Sequence, residues 1–247
     1  MQSYQAPCDA LANKTILITG AGDGIGRIAA LTYAKHGATV ILLGKTTSKL
    51  ECVYDEIVAA GYPEPAIVPL DMRGATKQHY RDLAATIEQT FGKLDGLLNN
   101  AAILGSLGPM EHFCVSTFEN IMKVNVTAQA MITKYMFPLL RKAPNASVVF
   151  TSSGVGREGR EFWGAYAISK FATEGMMQTW SKEIGTTNIR INCINPGATN
   201  TSMRNAAFPG EDKARLKTPL DLMPTYLYLM SDDSIGVNGQ SLDAQSK

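Results

Sequence analysis

The sequence predicts an α/β fold, a doubly wound parallel sheet with helices on both faces, and three observations predict it. Short runs rich in aliphatic and β-branched residues recur along the 247 residues. Those runs are continuously apolar rather than alternating, as strands covered on both faces are. Longer stretches of helical pattern separate them, which gives the strand-helix-strand rhythm of a parallel sheet. A hydrophobic content of 45% supplies a core for a chain of this length. No Pro/Gly/Ser-rich linker, repeat or low-complexity segment divides the chain, so residues 1–247 are read as one domain.

The elements follow in order. KTILIT (14–19) is the first strand, and it runs through a glycine-rich turn into a helix near 25–36. TVILL (39–43) leads to a helix near 47–60, and AIVPL (66–70) to one near 76–91. LDGLLN (94–99) precedes a long helix at 116–141, whose start carries Ser116 and Glu119 at the spacing of a capping box. SVVFTS (147–152) precedes a helix at 164–185, and IRINCI (189–194) is the next strand. Thr218 followed by Pro219 supplies an N-cap and a proline for the first helical position. Residues 198–217 are polar and interrupted by Phe-Pro-Gly. They read as a mobile substrate loop at the C-terminal edge of the sheet, where ligands of such folds bind.

Composition narrows the partners. Lys plus Arg total 23 against 22 for Asp plus Glu, so no general attraction to nucleic acid or an anionic membrane is expected. The start, MQSYQAPCDALANKT, lacks a basic region followed by an apolar run, and no segment approaches a charge-free membrane span, so a cytoplasmic protein is expected. Cys8, Cys52, Cys114 and Cys193 are scattered without a CxxC, which predicts reduced, mostly buried thiols and no metal site. His36, His79 and His112 show no ligand spacing.

The turn after the first strand, TGAGDGIG (19–26), carries Gly20, Gly24 and Gly26 in a G-x-x-x-G-x-G pattern, with Asp23 and Ile25 between them. Glycine lets the backbone approach a ligand closely, and a helix start offers free N–H groups to a pyrophosphate. The second strand ends in LLGKTT, so Gly44 stands where an NAD enzyme usually has an acid, and Lys45 follows. A lysine there pairs with a 2′-phosphate, which points to NADP(H); its alternative is a solvated surface lysine. Asp23, an acid near the same phosphate, keeps NAD(H) as the second choice of cofactor.

The turn TGAGDGIG, LLNNA after the fourth strand, Asn125 in a helix, TSS after the fifth strand, YAISK, and NPG after the sixth strand together resemble the short-chain dehydrogenase/reductases in order and spacing. TVILLGK, SVVFTSSGVGREGR, WGAYAISKFATEGMMQ and RINCINPGAT resemble more closely still the bacterial YciK-type branch of that family. The resemblance implies a Rossmann-like sheet of about seven strands. It implies an enzyme that interconverts a carbonyl and a secondary alcohol by hydride transfer, on a small-molecule substrate that it does not name. It also implies a homodimer or homotetramer built partly on the two long helices. A catalytically silent dinucleotide-sensing protein on the same fold is the alternative, and intact Ser153, Tyr166 and Lys170 argue against it.

Carried over by residue, the resemblance makes Tyr166 the acid/base, Lys170 its activator, Ser153 the hydroxyl that orients the carbonyl, and Asn125 a support for a proton relay. Tyr166 and Lys170 stand at i and i+4, one face of a helix, so Lys170 is expected to pull the phenol below its ordinary pKa of about 10. YxxxK by itself is also an ordinary helical turn; the glycine turn, Ser153 and NPG are what alter the reading. Ser153 lies 13 residues before Tyr166, and Ser152 points to the other side of an extended segment. Among cofactor contacts, the resemblance gives Asp71 the adenine amine with Met72 beside it, Asn99 and Ala101 the adenosine side, and Pro196, Gly197, Thr199 and Thr201 the nicotinamide or pyrophosphate. Ala102 replaces the glycine usual after NNA, and Asp23 replaces a basic residue common in NADP members. Phe162, Trp163, Met203 and Phe208 are expected to give the substrate pocket apolar surface, with Arg157, Arg160 and Arg204 in reach of an anion.

Overall fold

The computed structural model describes residues 4–185 and 187–245. Seven parallel strands form one sheet in the order β3-β2-β1-β4-β5-β6-β7. They are β1 Thr15–Thr19, β2 Thr39–Gly44, β3 Ala66–Pro69, β4 Gly96–Asn99, β5 Ala146–Thr151, β6 Ile189–Asn195 and β7 Ser241–Asp243. Helices α1 (Gly24–Lys35), α2 (Thr47–Ala59) and α3 (Lys77–Phe91) connect the first four strands. Then come α4 (Val115–Met122) and α5 (Ala128–Leu140), α6 (Gly164–Glu183), α7 (Ser202–Ala207) and α8 (Met223–Met230).

The register explains why the strand sequences do not alternate. Side chains leave a strand on opposite faces in turn. In β1, Ile16 and Ile18 enter a core with Tyr33 of α1 and Tyr226 of α8, whereas Leu17 enters the opposite core with Ile132 of α5 and Met177 of α6. Val40 and Leu42 of β2 join the first core, and Ile41 and Leu43 join the second. Each residue is apolar because each face is covered. Fully burying one such side chain contributes about 1.5–3 kcal/mol, so two faces per strand stabilise the sheet twice over.

The strand order reverses between β1 and β4, the place where a doubly wound sheet opens a crevice at its C-terminal edge. Thr19 of β1 closes the floor of that crevice. Its Oγ1 accepts from Asn100 N at 2.9 Å and Ala101 N at 3.0 Å, and it donates to Leu98 O at 3.3 Å. The loop after β4 is thereby tied to the end of β1.

Several sequence expectations are corrected. Ser116 is not an N-cap: α4 starts at Val115 with Cys114 at the cap position, and the Ser116 hydroxyl lies 3.3 Å from Cys114 Sγ instead of closing a box with Glu119. The long helix at 116–141 is interrupted by a π turn over Lys123–Thr127, between α4 and α5. Cys8, Cys52 and Cys114 are exposed and only Cys193 is buried, so the thiols are mostly not core residues. Residues 198–217 hold one short helix, α7, and a 3-10 turn at Lys213–Arg215 within the loop. Thr201 caps α7 by accepting from Arg204 N at 3.2 Å, and Asn200 N donates to Lys217 O at 2.8 Å, closing the segment at its base. Thr218 and Pro219 behave as expected, with Thr218 and Asp221 forming a capping box over a short 3-10 turn. Among the described residues, no helix is long and apolar enough to cross a membrane.

Candidate active site

A cleft of about 470 Å³ opens at the C-terminal ends of the strands, and the glycine turn, the ends of β2 and β3, the loop after β4 and α7 wall it. Gly20 and Gly24 have φ of 70° and 53°, a region in which a side chain is strained. Asp23 between them caps α1, its Oδ1 accepting from Gly24 N at 2.7 Å. Gly26 does different work: a Cβ there would run into the Gly20 carbonyl, so it lets the helix start pack under the turn and does not line the cleft. Gly22, which the sequence pattern passed over, lines it instead, along with Ile25, Gly44, Ala101 and Ala102.

Lys45, Lys49 and Arg73 gather at the rim beyond β2 and β3. Asp71 and Met72 also line this end. Asp71 forms a local turn, Oδ1 accepting from Arg73 N at 2.9 Å, with its other oxygen 3.7 Å from the Arg73 guanidinium. Asp23 is neutralised: Lys49 Nζ donates to its Oδ2 at 2.6 Å, and this bond holds the carboxyl below its ordinary pKa. Bare backbone at the turn, a helix start behind it and a basic rim are the donor set that a dinucleotide carrying an extra phosphate requires. The residues present fit such a cofactor.

Asn99 is corrected. It is fully buried, its amide donates to Thr133 Oγ1 at 2.9 Å, and it is absent from the cleft wall, where Asn100 stands. Strand parity is the reason: Asn99 shares the face of Leu97, turned toward α5. Pro196, Gly197, Thr199 and Thr201 line the far side. Gln245, unnoticed in the sequence, clamps that turn, its Nε2 donating to Pro196 O at 2.7 Å and Ala198 O at 2.9 Å.

The chemical end of the cleft holds Ser153, Tyr166 and Lys170. Ser153 follows β5 and lines the cleft beside Tyr166, where its hydroxyl draws the phenol pKa downward. Ser152 points the other way, donating to Glu174 Oε1 at 2.5 Å. Lys170 is 1% exposed, donates from Nζ to Thr151 O at 2.7 Å, and lies 5.5 Å from the centre of the Tyr166 ring. The pKa expectation is reversed. Burial pushes the Tyr166 phenol up to about 12, only partly opposed by Ser153, and burial brings Lys170 down to about 8. A dry site penalises both charges, and on Lys170 that penalty exceeds the pull of Cys193 and Glu174 beside it. At neutral pH the phenol keeps its proton and can donate it.

Asn125 does not reach the cleft wall. Its Oδ1 accepts from Ile103 N at 2.8 Å, and its Nδ2 donates to Ile103 O at 2.9 Å and Ser169 Oγ at 3.0 Å. It therefore fixes a cleft-lining residue, Ile103, against the turn of α6 that carries Lys170.

The substrate side is apolar, with Ile103, Leu104, Trp163 and Met203. Trp163 lies between Tyr166 and Phe208, with centroids 5.7 and 5.9 Å away. The expected arginines are largely committed elsewhere. Arg157 pairs with Asp243 at 2.6 Å and is not on the wall. Arg204 lines the cleft, but Nε and Nη2 each donate to Glu211 at 2.6 Å and its guanidinium covers the Phe208 ring at 3.9 Å. Arg160 lies over the other approach to Phe208 at 5.9 Å, and Phe162 is 52% exposed, so neither Arg160 nor Phe162 lines the cleft.

Comparison with known proteins agrees with this fold. The family model described as short chain dehydrogenase matches residues 14–212. The Escherichia coli K12 oxidoreductase YciK is 50% identical over 242 residues, covering 98% of this chain and 96% of that protein. A short-chain dehydrogenase from Shigella flexneri 2a, solved in complex with NADP, is 49% identical with a TM-score of 0.95, covering 97% of this chain and 100% of the other. One from Escherichia coli CFT073, solved with NADPH, gives the same identity of 49%, TM-score of 0.95 and coverage of 97% and 100%. With the family model matched over residues 14–212 and a relative 50% identical along nearly its whole length, the chain belongs to the short-chain dehydrogenase/reductase family.

Proposed function

We propose that the protein is an NADP(H)-dependent oxidoreductase that interconverts a carbonyl and a secondary alcohol, with Tyr166 as acid/base. One arrangement carries the reading: Ser153 and Tyr166 line the apolar end of the cleft together, with Lys170 buried behind them. The cofactor assignment draws on the Lys45, Lys49 and Arg73 rim and on the two relatives solved with NADP and NADPH.

Bound nicotinamide supplies or accepts the hydride. In the reducing direction, Ser153 donates to the substrate oxygen as negative charge develops there, and Tyr166 gives up its proton to that oxygen. The phenolate left behind faces the Lys170 ammonium, which stabilises it. Lys170 is itself fixed by the Thr151 carbonyl, so the positive charge stays where it is needed. Asn125 acts on this centre by holding Ile103 and the start of the loop that contains Leu104. The preferred substrate is an uncharged apolar carbonyl, because Glu211 already occupies the Arg204 guanidinium.

The test is a panel of neutral and acidic carbonyl compounds followed by NADPH absorbance, beside Tyr166→Phe. Removing an acid/base costs on the order of 10²–10⁴-fold in turnover, with NADPH binding retained. Full turnover by Tyr166→Phe would refute the assignment.

We also propose a homo-oligomer built on α6. Ile168, Phe171 and Gly175 form an exposed stripe at i, i+3 and i+7, with the catalytic side chains on the opposite face.

A further inference from the structure

We propose that Lys49 sets the preference of this cleft for a 2′-phosphorylated dinucleotide by silencing Asp23. The inference rests on the NADP(H) reading above and deepens it at the same site.

The difficulty comes from the sequence. Asp23 sits inside the glycine turn, and a free carboxylate there would repel an added phosphate on the adenosine ribose. Asp23 cannot turn away, because its Oδ1 is committed to the Gly24 N–H at the start of α1. Its second oxygen takes Lys49 Nζ at 2.6 Å, from the first turns of α2. Lys45 and Arg73 complete the rim, and Asp71 partly offsets Arg73 at 3.7 Å. Counting signs, Lys49 cancels Asp23 and Asp71 cancels Arg73, which leaves Lys45 as the net positive charge offered to the phosphate. Without Lys49 that balance falls to zero, with a negative group fixed in the turn.

The pair is suited to tuning binding and little else. Both side chains are about half exposed, at 53% and 51%, and an ion pair in that setting adds little to folding. Variants should therefore fold. Asn caps a helix about as well as Asp, so Asp23→Asn removes the charge while keeping the bond to Gly24.

The experiment is fluorimetric titration of NADPH and NADH into the wild type, Lys49→Ala, Asp23→Asn and the double variant, with thermal melts as a folding control. Two facing charges a few ångströms apart at a wet rim correspond to about tenfold in affinity. Lys49→Ala should weaken NADPH by about that factor and leave NADH unchanged. The double variant should recover most of the lost NADPH affinity, since the acid that Lys49 silenced is gone. A double variant as weak as Lys49→Ala overturns the shielding role and makes Lys49 a direct phosphate ligand. A wild type that prefers NADPH while Lys49→Ala binds it unchanged overturns this inference alone. A wild type that binds NADH more tightly than NADPH overturns the cofactor reading as well.

Discussion

Lys170 and Tyr166 carry opposite pKa shifts from one cause, and the shift on Lys170 makes stability depend on pH. An ordinary lysine titrates at about 10.4, whereas buried Lys170 sits at about 8. Between those values the unfolded chain binds a proton that the folded chain has lost, so stability rises with pH across that window. Below pH 8 the folded protein holds the charge and bears the full cost of burying it. Replacing Lys170 by Met removes the titration, so wild type should gain about 2 kcal/mol over Lys170→Met between pH 7 and pH 9.5. Urea melts of both proteins at the two pH values measure it, and parallel changes would show that Lys170 does not titrate in that range. Tyr166 adds nothing in this window: its raised pKa takes effect only above about 10, where it lowers stability as pH rises. This is also the residue scale at which sequence reading was weakest. Spacing put Tyr166 and Lys170 together correctly, but the sign of the phenol shift depends on how dry the site is, and burial is a property of the folded packing.

At the scale of elements, the sheet was legible because β1 and β2 divide their side chains between two apolar cores, and that requirement is written in the last four positions of TVILL. Parity along a strand was legible in principle too: Leu97 and Asn99 share a face, which sends Asn99 into the core and leaves Asn100 for the cleft. Helix starts were less legible. Ser116 and Glu119 have the right spacing for a cap, yet α4 begins one residue before Ser116. Glu174 had no local signal at all. It follows Lys170 by one turn of α6, is 5% exposed, and accepts from Ser152 of the β5 end at 2.5 Å and from Ser241 of β7 at 2.8 Å. One carboxylate thus joins a helix, the segment leading to Ser153, and the last strand. Glu174→Ala leaves two hydroxyls without their acceptor and should cost about 2–3 kcal/mol. Glu174→Gln keeps an acceptor and should cost less. Chemical denaturation orders the two, and equal losses would mean that side-chain volume, not the hydrogen bonds, is what matters there.

The whole molecule exposes a face that its own fold does not use. Helix α6 buries Tyr166, Lys170, Thr173 and Met177 on one side and turns Ile168 and Phe171 to solvent on the other, at 41% and 45% exposure. Gly175 continues that stripe, and nothing lies within 4 Å of the place where its Cβ would be, so another backbone can approach there. An exposed apolar stripe around a small residue is the surface that a second copy of the same helix fits by two-fold symmetry, since identical patches are self-complementary. The stripe lies on the helix that carries the acid/base residue, so assembly would also brace the catalytic turn from behind. Phe171→Glu puts a charge against its symmetry mate at the centre of such a contact, and like charges brought together cost enough to dissociate a modest interface. Light scattering should find the wild type as a dimer or tetramer and Phe171→Glu at lower mass. Turnover per chain should fall with the mass if bracing matters. A wild type of monomer mass, or a variant that keeps the wild-type mass, would take the interface away from α6.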